Sequence, residues 1–288
     1  MKIPYIASDF KMLFEPKKHG DYVNDHSVVI GPDGKWHLYG ITSFASFAAS
    51  ERYFVHGVGD SLESEFEEQI GRVIDRGPLA WAPGVIEKDT YYYMFYGPSP
   101  TNLAVSFDMY EWTGQKINLN NEPLLGAIRD HFALKISDDK YLMYITGMLD
   151  KKGCISCFSS NGDLRNWDFV GYALTSGDDA PLTPPWGAFE SPYVVKKDGL
   201  YYLFSTYTDC AKENYNDTLV FVSSDPTSFG QYNGGNGGAI PITKLRAHAP
   251  EILIENEKYY ITSCGWRGFG AVCEGGVGIA RLEWKEKD

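Results

Sequence analysis

The chain has 288 residues and a formal net charge of −12, with 20 Tyr, 16 Phe, 7 Trp and 30 Gly. That many aromatic rings exclude a disordered chain, and a coiled coil or helical bundle would be richer in Ala, Leu, Glu and Lys. The acidic balance repels phosphate backbones, and no run of about 18 apolar residues could cross a membrane as a helix, so neither nucleic acid nor a membrane is expected as a partner. Residues 1–9 lack the apolar stretch of a signal peptide, which predicts a cytoplasmic protein. The five cysteines, Cys154, Cys157, Cys210, Cys264 and Cys273, are an odd count and read as reduced thiols. Cys154 and Cys157 form a lone C-x-x-C, read as two strand residues on opposite faces.

Along the chain one pattern recurs. A polar or aromatic head opens a β-rich run, a short turn follows, and an aromatic strand returns. The copies are Asp-His-Ser-Val-Val-Ile at 25–30 with Trp-His-Leu-Tyr at 36–39, and Trp-Ala-Pro-Gly-Val-Ile at 81–86 with Tyr-Tyr-Met-Phe at 92–95. Next come Asp-His-Phe-Ala-Leu at 130–134 with Tyr-Leu-Met-Tyr at 141–144, and Glu-Ser-Pro-Tyr-Val-Val at 190–195 with Tyr-Tyr-Leu-Phe at 201–204. The last is His-Ala-Pro-Glu-Ile-Leu at 248–253 with Tyr-Tyr-Ile-Thr at 259–262. A further strand and turn follow the hairpins, at 104–108 before Trp112, at 157–160 before Trp167 and at 221–225 before Phe229, with 55–60 as a diverged first copy. Units of about 40–50 residues with four strands are propeller blades. The pattern predicts an all-β fold, a five-bladed β-propeller filling residues 1–288 as one domain. The Gly-rich stretch 233–238 falls in the connection between the fourth and fifth blades.

Counting back from the second strands aligns the five heads as Asp25, Trp81, Asp130, Glu190 and His248. In a propeller, equivalent residues at the start of the innermost strands meet at one mouth of the channel. Three of the five are carboxylates, which raise one another's pKa when gathered. One neutral acid beside one ionised carboxylate is the arrangement for glycoside hydrolysis. Oxygen ligands with one histidine are also a set that could hold Ca²⁺ with waters.

These motifs resemble the five-bladed propeller glycosidases, glycoside hydrolase family 43 and more distantly family 32. Asn24-Asp25-His26 looks like the opening Asp of the family, Trp81-Ala82-Pro83 like its second-blade Trp-Ala-Pro, and Ile128-Arg129-Asp130 like its third-blade motif. Phe189-Glu190-Ser191-Pro192 looks like the fourth-blade motif carrying the acid. The chain departs from the family at five places. His26 and His131 stand where Pro is usual, Ser191 replaces Gly, Gly84 stands where Asp is frequent, and Glu251 adds a carboxylate.

The resemblance implies hydrolysis of furanosides or pentosides of the arabinose, xylose or fructose class. Glu190 would be the general acid, Asp25 the general base and Asp130 the residue tuning the acid. His26, Trp81, Arg129, His131, Trp186 and His248 are the expected sugar-binding residues, with Trp266 a looser candidate. No cofactor is required, although His248 matches a fifth-blade histidine that helps hold a central Ca²⁺ in many members. Two alternatives stand beside this reading. A glycan phosphorylase would need a cationic phosphate pocket, for which Lys244, Arg246 and Arg267 are available. A lectin propeller would bind sugar in equivalent copies between blades.

Overall fold

The computed structural model describes residues 1–45, 48–75, 77–121, 123, 128–177, 189–208, 215–267 and 272–287. Among them there is no α-helix, and the strands form five small sheets. Blade 1 runs outward from the axis as Asn24–Ile30, Trp36–Thr42, Tyr53–Gly59 and Glu67–Glu68, and blade 2 as Trp81–Lys88, Tyr91–Gly97, Asn102–Ser106 and Thr113–Gln115. Blade 3 contains Arg129–Ser137, Lys140–Leu149, Lys152–Ser160 and Asn166–Ser176, with Asn118–Asn120 on its outer edge. Blade 4 contains Phe189–Lys197, Leu200–Tyr207, Asp217–Ser223 and Thr243–Arg246. Blade 5 contains Ile252–Glu255, Lys258–Ser263 and Val277–Glu286. Its last strand pairs with Lys2–Ile6 and Lys11–Phe14, so the two ends of the chain close the ring with backbone hydrogen bonds.

Five apolar cores lie between successive blades, and they explain the aromatic second strands. Tyr92 and Met94 pack toward blade 1, while Tyr93 and Phe95 pack toward blade 3. Leu142 and Tyr144 likewise face blade 4, with Tyr141 and Met143 turned to blade 2. A strand buried on both faces reads as a continuous apolar run rather than an alternation. Trp167 is fully buried, its ring edge-on to Phe95 with centroids 5.7 Å apart, and Cys157 belongs to the core between blades 3 and 4. Burial pushes the thiols of Cys154 and Cys157 up to about 12, and neither forms a disulfide, so the C-x-x-C is a strand feature.

Two expectations from the sequence need correction. In blade 4 the aromatic Phe229 does not open the outer strand. It leads to Gly230–Tyr232, which pairs in parallel with Asn166–Ser176 of blade 3. The outer strand of blade 4 is Thr243–Arg246, so the Gly-rich 233–238 stretch lies within blade 4 rather than between blades.

The alignment of the heads shifts as well. Each innermost strand enters through a residue with positive φ: Asp25 (39°), Ala82 (47°), Asp130 (56°), Ser191 (49°) and Ala249 (45°). In blades 1 to 4 the strand pairing slips at this point, as at a β-bulge. The equivalent triplets are therefore Asn24-Asp25-His26, Trp81-Ala82-Pro83, Arg129-Asp130-His131, Glu190-Ser191-Pro192 and His248-Ala249-Pro250. Asp25 and Asp130 stand one place further along than Trp81, Glu190 and His248. The counting failed because blades 1 and 3 carry one extra residue within the hairpin. The turn between Ile30 and Trp36 takes it in blade 1, and a second bulge between Lys135 and Ser137 takes it in blade 3.

Around the axis the innermost strands approach closely. A Cβ on Gly84 would sit 1.8 Å from the carbonyl oxygen of His131 in the next blade. Gly84→Ala is expected to cost about 1–3 kcal/mol of stability through this overpacking, read as a lower midpoint in urea unfolding.

Candidate active site

The bulge decides what reaches the mouth of the channel. In a regular strand, neighbouring residues point to opposite faces. A left-handed residue breaks that alternation, so two successive side chains can serve one site. Arg129 and Asp130 do so, as do Glu190 and Ser191. The Arg129 guanidinium lies 2.9 Å from Glu190 Oε1 through Nη2 and 3.6 Å from Asp130 Oδ2 through Nε. The Ser191 hydroxyl donates to Asp25 Oδ1 at 2.7 Å, and its backbone N–H donates to Asp130 Oδ2 at 3.0 Å. Ser205 fixes the base of this strand by donating to the Glu190 carbonyl at 2.9 Å. The structure thus brings Asp25, Arg129, Asp130 and Glu190 together from three blades.

Arg129, Asp130 and Glu190 are buried, and Asp25 is partly covered. Three carboxyls share this arginine, so full ionisation would leave buried excess negative charge. Burial pushes Glu190 up to about 8, with the charges of Asp130 and Asp25 adding to it and Arg129 opposing. Burial likewise pushes Asp130 up to about 6, Arg129 again opposing. Asp25 is raised by burial, and Ser191 and then Arg129 pull it back. Near neutral pH the cluster therefore favours a protonated Glu190 beside an ionised Asp130.

Deeper in the channel lies a cavity of about 30 Å³, bordered by Asp25, His26, Asp130, His131 and Glu251 among others. His26 Nε2 meets Thr262 Oγ1 at 2.7 Å, and His131 Nε2 meets Thr101 Oγ1 at 2.9 Å. Burial lowers both imidazoles to about 3, so both are neutral hydrogen-bonding groups rather than charges. They stand in the triplets where blades 2, 4 and 5 have Pro83, Pro192 and Pro250. Glu251 Oε2 accepts the Val28 N–H at 2.6 Å, and burial pushes this carboxyl up to about 8.

The rim between blades 5, 1 and 2 holds a fifth acidic group. Glu51 Oε1 accepts from Tyr22 Oη at 2.9 Å and from Trp266 Nε1 at 3.1 Å. Burial raises Glu51 to about 7, with the nearby Asp25 charge contributing. Beside it His248 packs with Tyr215 and Trp266, at ring distances of 5.0 and 5.9 Å. His248 donates through Nδ1 to the Cys264 carbonyl at 3.0 Å, leaving Nε2 as an acceptor, and burial lowers its pKa to about 4. Trp81 is half-buried and packs against the core between blades 1 and 2. Trp186 lies outside the described residues.

Sequence reasoning did not find Glu51, Tyr22 or Tyr215. Glu51 sits in a Ser-Glu-Arg connector with no motif around it, and only folding sets it beside Asp25. Ser191 did carry a signal, because it departs from the glycine that the resemblance leads one to expect after Glu190.

Glu251 gives this buried chemistry a signature in stability. Its folded pKa, about 8, lies above the ordinary value of 4.5. Its contribution is therefore complete below about pH 4.5 and is lost as pH rises toward 8. Glu251→Gln keeps an acceptor for Val28 and cannot ionise. Its melting temperature relative to the parent is expected to be higher at pH 8 than at pH 5.

No protein-family model matches the sequence, and no curated protein matches it either. Solved structures do resemble it. A β-xylosidase superposes with a TM-score of 0.66 at 15% identity, over 96% of this chain and 95% of its own. A thermostable family 43 glycoside hydrolase gives 0.65 at 16% identity over 96% and 93%. An α-L-arabinofuranosidase from Clostridium thermocellum gives 0.61 at 19% identity over 89% and 88%. At such identities the likeness is one of architecture, and the chain has the five-bladed β-propeller fold of the family 43 glycoside hydrolases it resembles.

Proposed function

We propose that the chain is a glycoside hydrolase that cleaves pentose or furanose units at the channel mouth. The observation that carries this reading is the cluster itself, in which Arg129 gathers carboxyls of unequal proton affinity. Glu190, held protonated, is suited to donate its proton to the departing glycosidic oxygen. Asp25, whose carboxylate form is favoured by the Ser191 hydroxyl, is suited to accept a proton from the attacking water. Asp130 shares Arg129 with Glu190 and raises the acid's proton affinity. His26, His131 and His248, all neutral, offer hydrogen bonds without adding charge. The substrate class rests on the similar structures, one of which is a family 43 β-xylosidase/α-arabinofuranosidase in complex with xylotriose in a calcium-free form.

A central calcium ion finds little support in the donor set. Among the described residues no group of three or more His, Cys, Asp or Glu could hold a metal. Calcium takes six to eight oxygen ligands, whereas two of the groups bordering the cavity are imidazoles. A volume of about 30 Å³ suits a water molecule or two.

A phosphorylase is less well supported. Lys244 is paired with Asp217 at 2.9 Å and Arg267 with Glu15 at 2.7 Å. The carboxyl cluster would also repel an anionic co-substrate. A lectin reading is disfavoured by the unlike triplets of the five blades, which make one asymmetric site.

Glu190→Gln is expected to lower turnover of unactivated pentosides by about 10²–10⁴-fold. The loss should be much smaller on aryl glycosides whose leaving group needs no proton. In the parent, activity should fall above about pH 8 as Glu190 ionises, and this alkaline limb should vanish in the variant. Both follow from initial rates across a pH series, with and without phosphate.

A further inference from the structure

Ser191 links the two aspartates of the site. Its hydroxyl reaches from blade 4 to Asp25 of blade 1, and its N–H reaches Asp130 of blade 3. It does so at a φ of 49°, a left-handed conformation that glycine adopts without a Cβ penalty. Blades 2 and 5 place alanine at this position, Ala82 and Ala249, so the bulge itself needs no hydroxyl. What the serine adds is one O–H donor aimed at a carboxylate. Such a bond is charge-assisted and favours the ionised form of its acceptor.

We propose that Ser191 is a positioning residue of the acid–base pair, its hydroxyl holding Asp25 as an oriented carboxylate while Glu190, its neighbour on the strand, remains the acid. The proposal rests on the reading of Asp25 as general base. Among the described residues, the charged and titratable groups facing Asp25 are Arg129 and Asp130 from blade 3, Glu190 from blade 4, Glu51 from the rim and Cys264 from blade 5. Of these only Arg129 is cationic, and it is already engaged by Glu190 and Asp130. The Ser191 hydroxyl is thus the larger of the two groups that favour the Asp25 carboxylate, ahead of Arg129. The same segment carries the acid, so a single bulge sets the placement of the acid and its partner base.

The test compares Ser191→Ala and Ser191→Gly with the parent. Glycine suits the φ, so it removes the hydroxyl without adding strain, and it decides the matter if the alanine variant folds poorly. The Asp25 carboxyl can be followed by ¹³C NMR in Asp-labelled protein, its signal assigned by its loss in Asp25→Asn. Both variants are expected to titrate Asp25 about one pH unit higher, the size of a lost charge-assisted bond. On the acidic side of the Asp25 titration, kcat should fall about tenfold with KM little changed, while the alkaline limb set by Glu190 stays in place. An Asp25 titration in Ser191→Gly that matches the parent overturns the proposal. Retained turnover in Asp25→Asn would instead overturn the general-base reading, and the titration would still report whether the hydroxyl holds the carboxylate.

Discussion

The left-handed residue at the entry of each innermost strand is the constraint on which the site depends. Such a conformation costs a non-glycine residue about 1–3 kcal/mol, and here it occurs five times in equivalent places. The five interblade cores and the ring closure by Lys2–Ile6 hold it in place. Its effect is to let consecutive side chains, Arg129 with Asp130 and Glu190 with Ser191, converge on one mouth. Without it, one member of each pair would be turned into a blade interface.

Convergence then sets the electrostatics. A single buried guanidinium cannot neutralise three carboxyls, so proton affinities separate. Glu190 rises further than Asp130, with burial leading and both aspartates adding to it. Asp25 is less enclosed and accepts a hydroxyl proton, which favours its charged form. The histidines around the channel are buried, and among the described residues none is hydrogen-bonded to a carboxylate, so they stay neutral and leave this balance to the acids and Arg129.

Much of the architecture was legible because its physics is local. Aromatic second strands such as Tyr91–Gly97 are apolar on both faces since each lies between two cores. Turn residues such as Asp198-Gly199 mark the hairpins, and the repeat of the two gives the blade count. The head register was less legible. One extra residue in the turn of blade 1 and one bulge in blade 3 displaced Asp25 and Asp130 by a position, and neither leaves a mark in hydrophobic pattern. The carboxyls were found nonetheless, because the bulge lets both positions of a triplet reach the mouth.

The sequence by itself determined the propeller, the number of blades and the three acidic residues, because strand periodicity and turn chemistry act over a few residues. Only the tertiary structure decided which partners those acids have. Arg129 joins Glu190 across 61 residues, Ser191 joins Asp25 across 166, and Glu51 meets Trp266 across 215. Closing the ring is what turns those separations into hydrogen-bond distances, and burial at that junction is what sets the protons.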